Sequence, residues 1–132
     1  DNLTVEAFKV NHGEFEDAYG FRFTSKDKVI VFSGDTGPSK TLEEYAKDAD
    51  ILVHEVYSNA GFLKKTKDWQ IYHKDHHTST YEVGEIASRA KPKLLVLSHI
   101  LFWGADEQDI LEETRTTFSG NIKIAEDLMV IK

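Results

Sequence analysis

The sequence predicts an α/β fold in which one mixed sheet carries helices on at least one face. Three observations predict it. Short apolar runs of strand length recur at 29–32, 51–53 and 94–97, and each suits a strand buried on both faces. Stretches of helical character stand at 41–49, 78–90 and 106–118. The resulting order, β-β-β-α-β-α-β-α-β-β, joins parallel neighbours through helices.

Leu3, Val5 and Ala7 alternate with polar residues and predict a half-buried first strand that runs on towards Val10. Asn11-His12-Gly13 is a polar turn. Residues 19–24 alternate aromatic side chains with Gly and Arg, and Ser25 to Lys28 turn the chain back into 29–32 as a hairpin. Gly34 and Asp35 break that run, and Gly37-Pro38 redirects it into the helix at 41–49. Ser39 or Thr41 caps this helix, with Glu43 and Glu44 in its first turn. Residues 58–75 lack aliphatic periodicity and predict a long surface loop carrying Gly61, Lys64, Lys65, Lys67, Trp69 and Tyr72. The helix at 78–90 groups Val83, Ile86, Ala87 and Ala90 on one face, and Pro92 follows its end. Ile110, Leu111, Thr114 and Phe118 do the same for 106–118. Strands at 122–125 and 128–131 close the chain, with no internal repeat and no domain boundary.

The 132 residues suffice for one compact core. A net charge of -7 and a pI near 5.3 argue against a broad nucleic-acid or anionic-membrane surface, so neither partner is expected. Without cysteine there are no disulfides and no thiolate metal ligands. No apolar run approaches the roughly 20 residues of a membrane span, and Asp1-Asn2-Leu3-Thr4 is no leader. A soluble chain is expected, with the cytoplasm favoured as its compartment.

The three buried strands end at Asp35, Glu55 and His99, which places those side chains on one rim, where open α/β sheets carry their chemistry. His12, Asp35 and His99 are hard or borderline ligands suited to zinc, manganese or iron, and a carboxylate among them can bridge two ions. Read singly, each is an ordinary polar residue at a strand end. His77 precedes the helix at 78–90. Alone it is a solvated histidine beside the capping residues Thr78 and Ser79; paired with Glu55 it becomes an imidazolium able to donate a proton. His54 and His73 read as structural. Trp69, Tyr72, Phe102 and Trp103 flank the rim and serve either an apolar pocket or packing. Gly34 to Thr41 approaches G-x-x-x-x-G-K-[ST], but Ser39 replaces the second glycine and Pro38 removes an N–H that would face phosphate.

The ordered set Val10-Asn-His-Gly13, Tyr19-Gly-Phe-Arg22, Phe32-Ser-Gly-Asp-Thr36, Val53-His-Glu55, His77-Thr-Ser79 and Leu97-Ser-His99 resembles the metallo-β-lactamase superfamily, closest to its ribonuclease Z-like, phosphodiesterase and arylsulfatase-like branch. The match runs from about residue 3 to the end. The resemblance implies two divalent ions, zinc or alternatively manganese or iron, with His12 and His99 as ligands and Asp35 bridging. It also implies that His77 and Glu55 shuttle a proton to the leaving group. Ser79 stands where the family has threonine. The family's H-x-H-x-D-H motif is absent and no histidine precedes His12. The chain therefore resembles the C-terminal half of an αββα sandwich, residues 1–132, with helices on the outer face of its sheet. The long basic arm of ribonuclease Z enzymes is missing as well.

The expected function is part of a two-metal hydrolase acting on a phosphodiester or related small ester, with the chain alone inactive. Its expected partners are a small-molecule ester and either the N-terminal half of the same fold or a second copy of the chain. One alternative is a non-catalytic fragment or subunit with an incomplete metal site. Another is a nucleotide-binding protein using residues 34–41.

Overall fold

The computed structural model describes residues 2–132; Asp1, the first residue of the segment read as no leader, lies outside them. The elements are β1 Thr4–Lys9, β2 Tyr19–Thr24, β3 Val29–Phe32, α1 Lys40–Tyr45, β4 Ile51–Tyr57, α2 Asn59–Leu63, α3 Lys67–His76, α4 Thr80–Ala90, β5 Leu94–Leu101, α5 Glu107–Arg115 and β6 Ile122–Ile124. The six strands form one sheet in chain order. β1, β2 and β3 are antiparallel neighbours, whereas β3 to β6 run parallel. β1 thus points the same way as β3, β4 and β5, and all four end on one rim.

Alternation along each strand divides the sheet. Phe8, Val31, Leu52, Val56, Leu95 and Leu97 point under the helices, where they meet Leu42, Val83, Ile86, Ala87, Ile110 and Phe118 in one core. Val5, Tyr19, Phe21 and Phe32 point to the opposite face and remain exposed. Helix ends are set locally. The Ser39 hydroxyl accepts from Leu42 N–H at 3.2 Å, and capping boxes pair Ser79 with Glu82 and Asp106 with Asp109.

Two expectations about elements fail. Residues 58–75 contain α2 and α3 rather than a loop. The periodicity of α3 is carried by aromatic and imidazole rings, Trp69, Tyr72, His73 and His76, which an aliphatic pattern overlooks. Its N-cap, Thr66, makes no side-chain capping bond. Residues 128–131 form no strand. Leu128 turns at φ 63° and is almost fully exposed, so this apolar run does not pair with β6. The nucleotide-loop reading also fails. Thr36 N–H donates to Glu55, Gly37 N–H to the Asn11 carbonyl and Leu42 N–H to Ser39, so these donors are turned into the fold rather than towards a phosphate. Among the described residues no helix is long and apolar enough to cross a membrane.

Candidate metal centre

Four strand ends and one helix junction build the rim. His12 follows β1 in a turn tied to its surroundings by Asn11 N–H to Thr36 Oγ1 at 3.0 Å and Gly13 N–H to the Asp75 carbonyl at 3.1 Å. His12 Nδ1 lies 2.8 Å from the His76 carbonyl, and an N–H donated there leaves Nε2 available as a ligand. His76 itself is buried. Its Nδ1 meets the Tyr72 carbonyl at 2.6 Å, its Nε2 meets Glu14 Oε2 at 2.7 Å, and its ring stacks on Tyr72. Gly13, at φ +55°, faces that ring so closely that a Cβ would fall 2.1 Å from Nε2. Residue 13 must therefore be glycine for the His12 turn to close.

Asp35 follows β3 through Gly34, at φ +62°. Its Oδ1 lies 3.5 Å from His99 Nδ1, and both side chains are about half exposed. His99 owes its direction to a bulge. Glu55 pairs with Ser98 and Val56 with Ile100, which leaves His99 unpaired at φ 43°. A regular β5 would continue the alternation through this position; the extra residue turns the imidazole onto the rim instead.

Glu55 is almost completely buried in β4. Oε1 accepts from Thr36 N–H at 2.9 Å and from His77 Nδ1 at 2.7 Å, while Oε2 accepts from Thr78 N–H at 3.3 Å. Ser33 Oγ fixes the Glu55 backbone from the neighbouring strand at 3.0 Å. His77 sits at the junction of α3 and α4, and Thr78 Oγ1 ties that junction to the Thr36 carbonyl at 2.7 Å. Burial depresses the His77 pKa, but the Glu55 hydrogen bond and the charges of Glu55 and Asp35 more than offset it and leave the ring above its ordinary value. His54 points into the core from the same strand. Its Nδ1 contacts the Glu55 carbonyl at 2.7 Å, and burial holds its pKa below the ordinary value.

The five predicted residues thus share one site. The rings of His77 and His12 are 5.4 Å apart, and those of His77 and His99 5.8 Å. Potential ligand atoms of Glu55, His77 and His99 all lie within 4.8 Å of one another. This grouping differs from the sequence-derived set of His12, Asp35 and His99. Within that group both Glu55 oxygens already accept N–H donors, and His77 Nδ1 is bonded to Glu55. Sequence reading missed His76, which holds His12 through a backbone carbonyl, and the Thr36 and Thr78 amides that hold Glu55. The first has no side-chain signature; the second could have been suspected from their adjacency to Asp35 and His77.

Residues 1–100 match the beta-lactamase superfamily domain. The chain belongs to the β-lactamase superfamily. Within it the chain falls in the ribonuclease Z-like branch. It is 36% identical over 108 residues to ribonuclease Z of Archaeoglobus fulgidus, covering 81% of this chain and 33% of that protein. The chain spans about a third of the length of that relative. The fold matches the metallo-β-lactamase fold protein YhfI from Bacillus subtilis with a TM-score of 0.76 at 23% identity, over 94% of this chain and 47% of that one. It also matches human tRNase Z, short form, with a TM-score of 0.69 at 23% identity, over 100% of this chain and 44% of that one.

The superfamily implies divalent metal ions, and the donor set fits them. Two imidazoles, His12 and His99, and the carboxylate Asp35 share the rim, and the His76 carbonyl at His12 Nδ1 orients that ring with Nε2 free. One expectation is overturned. A small-molecule ester as substrate, with no nucleic acid involved, conflicts with relatives that are ribonucleases by name. The overall charge of -7 misled because it averages over the surface. Four lysines, Lys64, Lys65, Lys67 and Lys74, lie within α3 and the approach to it.

Proposed function

We propose that this chain is the part of a metal-dependent RNA phosphodiesterase of the ribonuclease Z type that supplies its proton-donating dyad and three of its metal ligands. The carrying observation is the 2.7 Å bond between His77 Nδ1 and Glu55 Oε1, set beside His12, Asp35 and His99. His12 and His99 would each hold a divalent ion and Asp35 would bridge the two; such ions polarise the phosphoryl oxygens and activate water. His77 then protonates the leaving oxygen of the scissile phosphodiester from Nε2. Glu55 keeps the ring oriented and stabilises its cation. Zinc fits the nitrogen-rich set, as manganese or iron would.

Three ligands leave two ions short of donors. The remainder would come from an N-terminal half of the same fold carrying H-x-H-x-D-H and packed on the sheet face that exposes Val5, Tyr19, Phe21 and Phe32. This favours an incomplete site in the isolated chain over a self-sufficient one.

The test compares two substrates of the zinc-loaded full-length protein: an RNA with a 3′ extension, whose leaving group needs a proton, and an activated nitrophenyl phosphodiester, whose leaving group does not. His77→Ala should slow RNA cleavage about 10²–10⁴-fold while sparing the activated diester and keeping the bound zinc. Equal losses on both substrates would mean that His77 binds rather than protonates. A wild-type protein that cleaves no RNA would sink the proposal.

A further inference from the structure

We propose that the exposed face of α3 is a nucleobase-stacking platform that holds single-stranded RNA beside His77. This rests on the phosphodiesterase reading and adds where the substrate's bases lie.

Trp69 and His73 stand one turn apart and share one helical face, and His77 follows the end of α3 beside them. The Trp69 and His73 rings stack with centroids 5.5 Å apart at 21°, and His73 lies 5.8 Å from His77. Trp103, from the turn after β5, packs on His73 at 4.5 Å. A continuous run of flat rings therefore leads from the candidate proton donor out to an indole that is 54% exposed, with Tyr72 beside it at 40%. Core packing does not account for large aromatic rings left this open at the mouth of a site.

The cations beside these rings come from the approach to α3. Lys64 and Lys65 precede the helix and Lys65 Nζ lies 4.8 Å over the Trp103 ring, whereas Lys67 and Lys74 line another face of α3 with Gln70 and Ile71. Lysine is depleted in the cores of protein–protein interfaces. Beside exposed aromatic rings it is what a single strand requires, cations for the phosphates and flat faces for the bases. Stacking is tolerant of base identity, so this platform would position a strand rather than read its sequence.

The experiment is fluorescence anisotropy on the full-length protein in chelator, which separates binding from cleavage. The probes are a labelled single-stranded oligoadenylate and an abasic ribose-phosphate chain of equal length. Trp69→Ala should weaken oligoadenylate binding roughly 5- to 150-fold per stacked base and leave the abasic chain unaffected. Trp69→Phe should restore most of the loss, which a misfolded variant would not do. Replacing Lys64 and Lys65 with Gln should weaken both probes and flatten the salt dependence. Equal oligoadenylate binding by wild type and Trp69→Ala would overturn the platform. So would protection of Trp69 from acrylamide quenching in a Trp103→Phe background, which would assign the face to an interface within the protein. A positive binding result with no RNA cleavage after zinc loading would sustain the platform and sink the hydrolytic reading. The reverse pair of results would do the opposite.

Discussion

Glu55 Oε1 lies 2.7 Å from His77 Nδ1, and every donor around that carboxylate is an N–H: Thr36 and His77 on one oxygen, Thr78 on the other. The carboxylate is an acceptor on all sides. These three N–H donors fix its orientation and aim Oε1 at the His77 ring.

Glu55→Gln should therefore do more than neutralise a charge. An amide presents one accepting oxygen and one donating nitrogen where three N–H groups already point inward. At least one donor is left facing another donor in a buried site, which costs about 1–3 kcal/mol. Thermal or urea denaturation of the variant should show that loss, together with a His77 pKa displaced downward. Unchanged stability would mean that the buried hydrogen bonds described here do not form.

The pH dependence separates two histidines of adjoining elements. The His77 pKa is raised in the fold, so the stability its pair with Glu55 contributes is fully present below the unfolded value of about 6.5 and is lost as pH rises through the higher folded value. The His54 pKa is lowered by burial, only partly countered by its bond to the Glu55 carbonyl and by the Glu55 charge. Its neutral ring is therefore an asset near neutrality that is lost as pH falls below about 6.5 towards its folded value. Imidazole NMR titrations in metal-free protein should place His77 above His54. The reverse order would refute both environments.

His99→Gly should separate stability from function. Residue 99 is held at φ 43°, a region glycine enters without strain and other residues enter at some expense. The variant should keep the fold and gain up to about 1 kcal/mol in denaturation. Metal analysis of the full-length variant should nonetheless show lost or weakened binding, since the imidazole is gone. Full zinc occupancy would remove His99 from the ligand set.

How far the sequence can be read depends on which atoms carry the information. The runs at Val29–Phe32 and at 51–53 and 94–97 are legible because burial on both faces demands uninterrupted apolar side chains. Their rim follows from strand direction. The capping residues Ser39 and Ser79 were legible as side-chain chemistry at a fixed offset, whereas Asp106 was read as part of its helix rather than as the cap. α3 was not, since rings rather than aliphatic side chains mark its faces. The bulge at His99 depends on pairing across β4 and β5, which no local pattern encodes. The tie from His12 to His76 uses a main-chain carbonyl that every residue possesses. The acidic total hid the lysines of 64–74, because net charge is a sum and recognition is local.

The bond between His12 and His76 also bears on how the molecule folds. It joins residues 64 positions apart, between the turn that ends β1 and the end of α3. The chain must close a loop of that length before it is rewarded with the contact, and such closures come late when nearer pairings are available. The β2–β3 hairpin closes through a short turn and needs no distant partner to begin, but the His12 turn waits until β4 and α3 are in place. Metal affinity should accordingly appear as the last event of refolding, after the sheet is built. Bound ion would then slow unfolding more than it speeds folding, because it stabilises contacts absent from the barrier.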